Sequence, residues 1–325
     1  NNQQAASLAD AYNRIGDCLY QSRQFNQAEE NYSHAARLSP SAGDYSIYQK
    51  GFLLGLQKDY KGKIGAMDRL ISEYPESQYI DDALFEKGRS YVLLENSSSA
   101  TQTFEKLINQ FPQSSLARKA GIQLGLLYYN DNQPEKALAA YKQVISNYPG
   151  SEEAKVALQD LKSVYIDLND ITAYANYVNS IGGNIRLEVS EQDSLTYIAA
   201  EKLFMRGDND GARRSLTSYL QTFPEGAFSS NANFYLGSIA FAKKEFDEAI
   251  QRFRSVIASG DTKFLEESVA RTAEIEYLGK DYPAALESFK RLQIVAENQE
   301  NKQAARLGIM RCALQTGQQK DALLA

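Results

Sequence analysis

The chain of 325 residues has no tryptophan, one histidine, two cysteines and seven prolines. A lone histidine supplies neither a metal-ligand set nor an oriented general base. No apolar run reaches the eighteen residues that a membrane helix needs, so direct membrane insertion is not expected. The 20 glycines are dispersed, and no nucleophile elbow, phosphate-binding loop, zinc spacing or dinucleotide fingerprint is found. The net charge of −6 argues against nucleic acid, which calls for clustered Lys and Arg. Arg206, Arg213 and Arg214 form a small basic group, and Asp208 and Asp210 sit among them. These absences point away from an enzyme, a cofactor or a metal. The chain also lacks an initiating Met and a signal-peptide pattern, and it stops at Leu323-Leu324-Ala325, inside what reads as a helix. It is therefore expected to be a piece of a longer protein, with any export signal or anchor outside it.

What is present is periodicity. Ala28, Lys63, Ala100, Ala137, Tyr174, Ala212, Ala249, Ala285 and Ala322 follow one another at spacings of 35, 37, 37, 37, 38, 37, 36 and 37 residues. A period in this range marks a stack of like supersecondary units. With the ruler residue set as position 20 of each unit, position 8 is Gly16, Gly51, Gly88, Gly125, Lys162, Ala200, Gly237, Ala273 and Met310. Position 24 is apolar throughout: Tyr32, Met67, Phe104, Tyr141, Val178, Leu216, Phe253 and Phe289. Proline stands at position 32 in five units, as Pro40, Pro75, Pro112, Pro149 and Pro224. Glycine inside a helix costs about 1 kcal/mol against alanine. Its recurrence calls for close approach: small residues at positions 8 and 20 would let two helices meet backbone to backbone, with position 24 filling the space beside them.

Between these marks the spacing is helical. In the fourth unit Leu124, Leu127 and Tyr128 share one face, and Ala137, Leu138, Tyr141, Val144 and Ile145 share another. Asn130-Asp131-Asn132-Gln133-Pro134 separates the two, with Pro134 suited to a first helical turn. Pro149 ends the second helix. Ser151 followed by Glu152 and Glu153 then reads as a cap and an acidic first turn. Each unit is thus helix A, turn, helix B, turn.

The pattern resembles the tetratricopeptide repeat (TPR), whose signature runs bulky apolar, Leu-Gly, Tyr, Ala, aromatic, Pro. The first unit matches it with Tyr12, Ile15, Gly16, Leu19, Ala28, Tyr32, Ala35 and Pro40, and the likeness extends from about residue 9 to the end. It implies an all-α, right-handed α-solenoid of about nine helix–turn–helix repeats. The units run about three residues longer than the usual 34, with the excess near Tyr74-Pro75-Glu76-Ser77, Phe111-Pro112-Gln113-Ser114 and Tyr148-Pro149-Gly150-Ser151. Three residues are roughly one more helical turn, expected at the start of helix A. Junctions of this kind resemble bacterial cell-envelope TPR proteins of the outer-membrane-assembly lipoprotein and Tol–Pal-associated types. That resemblance favours the periplasm, with the cytoplasm as the alternative. The fifth unit departs most, with Lys162 and Tyr174 at positions 8 and 20 and Ser180-Ile181-Gly182-Gly183-Asn184 where a proline junction should be. A kink near residues 180–192 is expected there, dividing an N-terminal stack, 1–192, from a C-terminal one, 193–325.

Internal equivalents sort the singular residues. His34, at position 26, corresponds to Arg69, Lys106, Gln143, Ser180, Ser218, Ser255 and Arg291, so it belongs on an exposed face. Cys18 and Cys312 share position 10 with Leu53, Leu127, Val164, Ile239 and Ile275, which makes both buried hydrophobes. Eight repeats apart they cannot form a disulfide, and free thiols slightly favour a reducing compartment. Asp208-Asn209-Asp210-Gly211 lacks the closing Glu of a calcium loop and reads as an ordinary turn.

Helix A carries a second stripe at positions 2, 5, 9 and 12, which in TPR proteins lines the concave groove. Here it holds Tyr20, Tyr48, Phe52, Phe85, Tyr129, Tyr197, Phe204, Phe234, Phe241 and Tyr277, with Asp17, Arg89, Glu201, Glu274 and Arg311 adding charge. Either the rings fill gaps between neighbouring A helices, or they form an amphipathic groove for an extended or helical peptide. The candidate partner-binding residues are Tyr20, Tyr48, Phe52, Phe85, Arg89, Tyr129, Tyr197, Phe204, Phe234 and Phe241. The expected function is a non-enzymatic protein–protein interaction module that captures a peptide or protein. The alternatives are a spacer or self-associating scaffold, or the recruitment part of a larger enzyme or envelope-assembly protein. Packing at the ruler is directly testable. Ala137→Phe should overpack the contact beside Gly125 and cost about 1–3 kcal/mol, read as a lowered midpoint in thermal melts.

Overall fold

The computed structural model describes residues 2–40, 43–182, 186–260 and 262–324. Gly183 and Asn184, part of the expected kink, lie outside them. The described residues form eighteen α-helices, sixteen of them paired as eight hairpins. These are α1 (Asn2–Gln21) with α2 (Phe25–Leu38), α3 (Asp44–Leu56) with α4 (Tyr60–Glu73), and α5 (Ile80–Leu93) with α6 (Ser97–Gln110). Next come α7 (Ser115–Asn130) with α8 (Pro134–Asn147), and α11 (Val189–Met205) with α12 (Asn209–Thr222), with α9 (Glu152–Asp167) and α10 (Ile171–Ile181) lying between them in the chain. The last are α13 (Ser229–Ala242) with α14 (Phe246–Ser259), α15 (Leu265–Leu278) with α16 (Tyr282–Val295), and α17 (Gln299–Gln315) with α18 (Gln319–Leu324). This is an all-α solenoid fold. Packing groups it into two units, Asn1–Val164 and Tyr165–Ala325.

The hairpins close on a ring laid against a glycine. A Cβ on Gly16 would stand 2.7 Å from a ring carbon of Tyr32, one on Gly88 2.5 Å from Phe104, and one on Gly237 2.8 Å from Phe253. Gly125 meets the Tyr141 ring and Gly51 the Met67 side chain in the same way. The recurrent glycine therefore makes room for the position-24 side chain itself, not for a bare backbone contact as the spacing suggested. The exceptions obey the same rule. Ala200 is tolerated at position 8 where position 24 is the smaller Leu216, and both are buried. Where position 8 is Ala273, the Phe289 ring lies against Gly308 of the next hairpin instead. In α10 the ring moves to the ruler position: buried Tyr174 replaces alanine, and position 24 shrinks to Val178.

Each A-to-B turn is closed by one residue in the left-handed region. Arg23, Lys58, Glu95, Asn132, Asn169, Gly207, Lys244, Lys280 and Gly317 all have φ between 54° and 82°. Every one of them falls at position 15. Asn96, Asp59, Asp170, Asp208 and Asp281 follow as side-chain caps of the B helices.

The excess of three residues goes into the B-to-A junction rather than always into helix A. Helices α7 and α9 have the extra turn, at 16 residues, whereas α5, α13 and α15 have 14. The longer junction makes two hydrogen bonds back to the preceding hairpin. Tyr74 and Tyr148 donate their hydroxyls to the carbonyls of Pro40 and Pro112 (2.5 and 2.7 Å). Ser77 and Ser114 donate to the carboxylates of Asp44 and Asp81 (2.6 and 2.7 Å). Those acids occupy position 1 of helix A, and Asp193 and Glu266 at the same position serve likewise. Asp193 accepts from the Tyr219 hydroxyl at 2.6 Å and the Ala227 amide at 2.8 Å. Glu266 accepts from the amides of Glu297 and Asn298 and from Asn301 Nδ2.

Two glycine substitutions should act in opposite directions. Gly125→Ala places a methyl against the Tyr141 ring and should lower stability by about 1–3 kcal/mol. Glu95→Gly relieves a left-handed side chain and should raise it by about 1 kcal/mol. Denaturant titration followed by circular dichroism measures both.

Candidate functional site

The position-5 rings divide from the rest of the stripe. Tyr48 stacks on Tyr79 with centroids 5.4 Å apart, Tyr197 on Phe228 at 4.5 Å and Phe234 on Phe264 at 4.2 Å, all with planes within 15° of parallel. Tyr79, Phe228 and Phe264 are the N-cap residues of the following A helix. These pairs therefore join one hairpin to the next, and Tyr197 is only 2 % exposed. The sequence reading missed them, although rings 30 or 31 residues apart were there to be seen. Phe85 has Leu116 at the corresponding place and turns instead to Phe104 of its own hairpin, 5.9 Å away.

The other rings sit half-buried. Tyr20 and Phe52, two candidate rings from adjacent hairpins, meet at 6.3 Å. The Lys63 ammonium lies over Phe52 at 5.7 Å. Phe204 packs on Tyr235 at 4.6 Å. Phe241 packs on Phe246 at 6.0 Å, with the Arg271 guanidinium 4.9 Å from its centroid. Tyr129 is half-buried at the end of α7, and Arg89 is exposed at position 9 of α5.

Acids on this face tie tyrosines together. Asp17 accepts the hydroxyls of Tyr32 and Tyr45 at 2.7 and 2.8 Å. Burial and this carboxylate push Tyr45 up to about 12. Glu201 accepts from Tyr197 at 2.6 Å and Tyr235 at 3.1 Å. Lys63, the departure from the alanine ruler, is itself buried and pairs with buried Glu86, which also takes Arg89 at 3.2 Å. The absent side chain of Gly55 leaves room for the lysine stem. The arrangement satisfies a charge that would otherwise be costly in the interior.

In the second unit the stripe opens into a cavity of about 530 Å³ between α15 and α17. Ala270, Glu274 and Tyr277 line one side, Ala304, Leu307 and Arg311 the other, with Phe289 and Leu292 between. Arg271 bridges Glu267 and Glu274 at 2.8 and 3.0 Å. Arg311 is exposed and has no ion-pair partner among the described residues.

The remaining singular residues have ordinary roles, with one correction. His34 is exposed and stacks on Tyr12 at 5.4 Å. Asp208 caps α12 by accepting from the Gly211 amide at 2.9 Å, and Asp210 pairs with Lys243. Cys312 is buried, which pushes its thiol up, but Cys18 is exposed rather than buried. Position 10 packs against the preceding hairpin, and no described helix precedes α1. Among the described residues no helix is long and apolar enough to cross a membrane.

Asp82, at position 2 of α5, has no hydrogen-bond partner for its carboxylate among the described residues. Burial pushes its carboxyl up, and Asp81 and Glu86 push the same way. A raised folded-state value disfavours the charged form, so stability falls as pH rises from the ordinary carboxylate range, about 3.9, through the raised one. Asp82→Asn should therefore melt higher than the parent at pH 7, with the difference shrinking to nothing toward pH 3 in parallel melts.

Comparison with known proteins agrees with this architecture. Tetratricopeptide-repeat models match residues 9–41, 45–77 and 199–262. The YfiO outer membrane lipoprotein model matches residues 81–161. No curated protein matches the sequence. Among solved structures, Naa15/Naa10 bound to HypK-THB is similar at 12 % identity and a TM-score of 0.57, over 94 % of this chain and 46 % of that one. A tetratricopeptide repeat protein from Parabacteroides merdae is similar at 13 % identity and a TM-score of 0.42, over 93 % and 99 %. MamA from Desulfovibrio magneticus is similar at 20 % identity and a TM-score of 0.43, over 53 % and 92 %. With helix pairs on one ruler and repeat models matching in both halves, the chain carries tetratricopeptide-type repeats.

Proposed function

We propose that the chain captures a peptide segment of a protein partner on the face carried by its A helices, without catalysing a reaction. Repeat stacks of this kind offer extended surfaces for protein interaction. One observation carries the reading: stripe positions 2, 5, 9 and 12 of α15 and 2, 5 and 9 of α17 converge on the open cavity between these two A helices. A cavity with an apolar floor and a few charged groups at its rim suits a side chain anchored from an extended segment. Half-buried Phe52, Phe85, Tyr129, Phe204 and Phe241 offer ring edges on the same stripe, with Tyr20 beside Phe52 and Arg89 as a charged neighbour. Tyr48, Tyr197 and Phe234 contribute by holding neighbouring hairpins in register. A boundary between sub-stacks at residues 192 and 193 belongs to the same proposal.

Affinity capture from the source cells tests it. Two triple variants are compared with the parent: Phe85→Ser, Tyr129→Ser and Phe204→Ser, and Tyr277→Ser, Leu307→Ser and Arg311→Ala. At least one triple should retain native circular dichroism and lose its captured partner by about tenfold or more. Undiminished capture by two natively folded triples would reject the A-helix face.

A further inference from the structure

We infer that the first unit carries a separate site for an organic anion, an oxyanion on a small apolar body, between α2, α3 and α4. A cavity of about 340 Å³ opens there, lined by three cations, Arg37, Lys50 and Arg69, and by no carboxylate. Buried Tyr32 and Ile47 supply apolar wall. The volume falls at the small end of ligand cavities. The void exists because position 22 of the second hairpin is Gly65, where an added Cβ would meet nothing within 4 Å.

The cations are available. Arg37 has no ion-pair partner among the described residues and meets the His34 ring, with Nη2 at 3.2 Å from Nδ1. Arg69 is held by Glu73, one turn along the same helix, and both side chains are about half exposed. Pairs of that kind are weak, so Arg69 can turn to a better acceptor. Lys50 is loosely held, 3.3 Å from Glu29, and donates to the Ser33 hydroxyl at 3.2 Å. Guanidinium and ammonium groups converging from two hairpins match an oxyanion with charge-assisted hydrogen bonds, while Tyr32 and Ile47 receive an apolar body.

Internal comparison shows that this combination does not come with the repeat. The three cations occupy positions 29, 7 and 26. One repeat on, the same positions carry Ser72, Lys87 and Lys106, and Lys87 is already paired with Asp68 at 2.5 Å. Another repeat on they carry Asn109, Leu124 and Gln143. A cavity whose charged lining residues are all cations, in a chain of net charge −6, is thus built from substitutions particular to these two hairpins.

Calorimetric titration of the full chain with phenyl phosphate, inorganic phosphate and benzyl alcohol tests the site. Phenyl phosphate should bind, more weakly at high salt, and benzyl alcohol should not. Combined Arg37→Gln and Arg69→Gln should weaken binding by about tenfold or more. Gly65→Leu should do the same by filling the void, and neither variant should lower the melt of the unliganded protein. Absence of heat with millimolar phenyl phosphate, equal binding of benzyl alcohol, or undiminished binding by both variants would overturn the site. Since none of these residues lies on the A-helix stripe, either outcome leaves the partner-capture proposal to its own test.

Discussion

The stack depends on an aromatic ring pressed against a residue that has no side chain. Gly16, Gly88, Gly125 and Gly237 each accept a ring from the B helix of their own hairpin at a separation that a methyl group would occupy. Everything else follows from how close this brings the two helices. The ruler alanine becomes fully buried beside the ring, and the A-helix stripe is left to face outward or toward the next hairpin. The hairpins with exceptions conserve volume rather than identity. A smaller Leu216 sits opposite Ala200, Phe289 leans onto Gly308, and Tyr174 takes the ruler position with the smaller Val178 one turn along the same helix. Close packing allows these exchanges because the interior responds to total volume and shape.

Hairpins are then joined by a second set of contacts that carry direction. Aromatic stacking from position 5 to the next N-cap, tyrosine hydroxyls on proline carbonyls, and acids at position 1 all run from one hairpin to the junction of its successor. The same face was expected to hold the partner-binding rings. The geometry divides the labour: the position-5 rings Tyr48, Tyr197 and Phe234 are committed to stacking, whereas Phe52, Tyr129, Phe204 and Phe241 keep partly open edges.

The repeat was legible because it is written in side-chain size, and size recurs at a fixed spacing. Pro134, Ser151 and the helix alternation around them were legible for the same local reason. Ser151 does cap α9 through the Ala154 amide, and Pro134 does open α8. The left-handed turn residue was not, because the geometry at position 15 is imposed by the two helices and accepts Arg, Lys, Glu, Asn or Gly alike. The inter-hairpin acids were hidden by chemistry that varies. Asp44 takes a serine hydroxyl, Asp193 a tyrosine and an amide, and Arg118 at the same position instead lies over the Tyr148 ring at 5.9 Å. Cys18 was misplaced because equivalence between repeats assumes equivalent neighbours, and no described helix precedes α1.

The links from position 1 also say where such a chain can be cut and rejoined. An acid on one hairpin and its donors 31 to 35 residues later form a lock whose halves lie in different repeats. A recombined stack keeps every lock only if the exchanged segment carries an acid together with the junction that follows it. A graft made at helix boundaries would leave a carboxylate facing a junction without its donors. The natural exchangeable module therefore runs from the first turn of one A helix to the first turn of the next, out of phase with the hairpins.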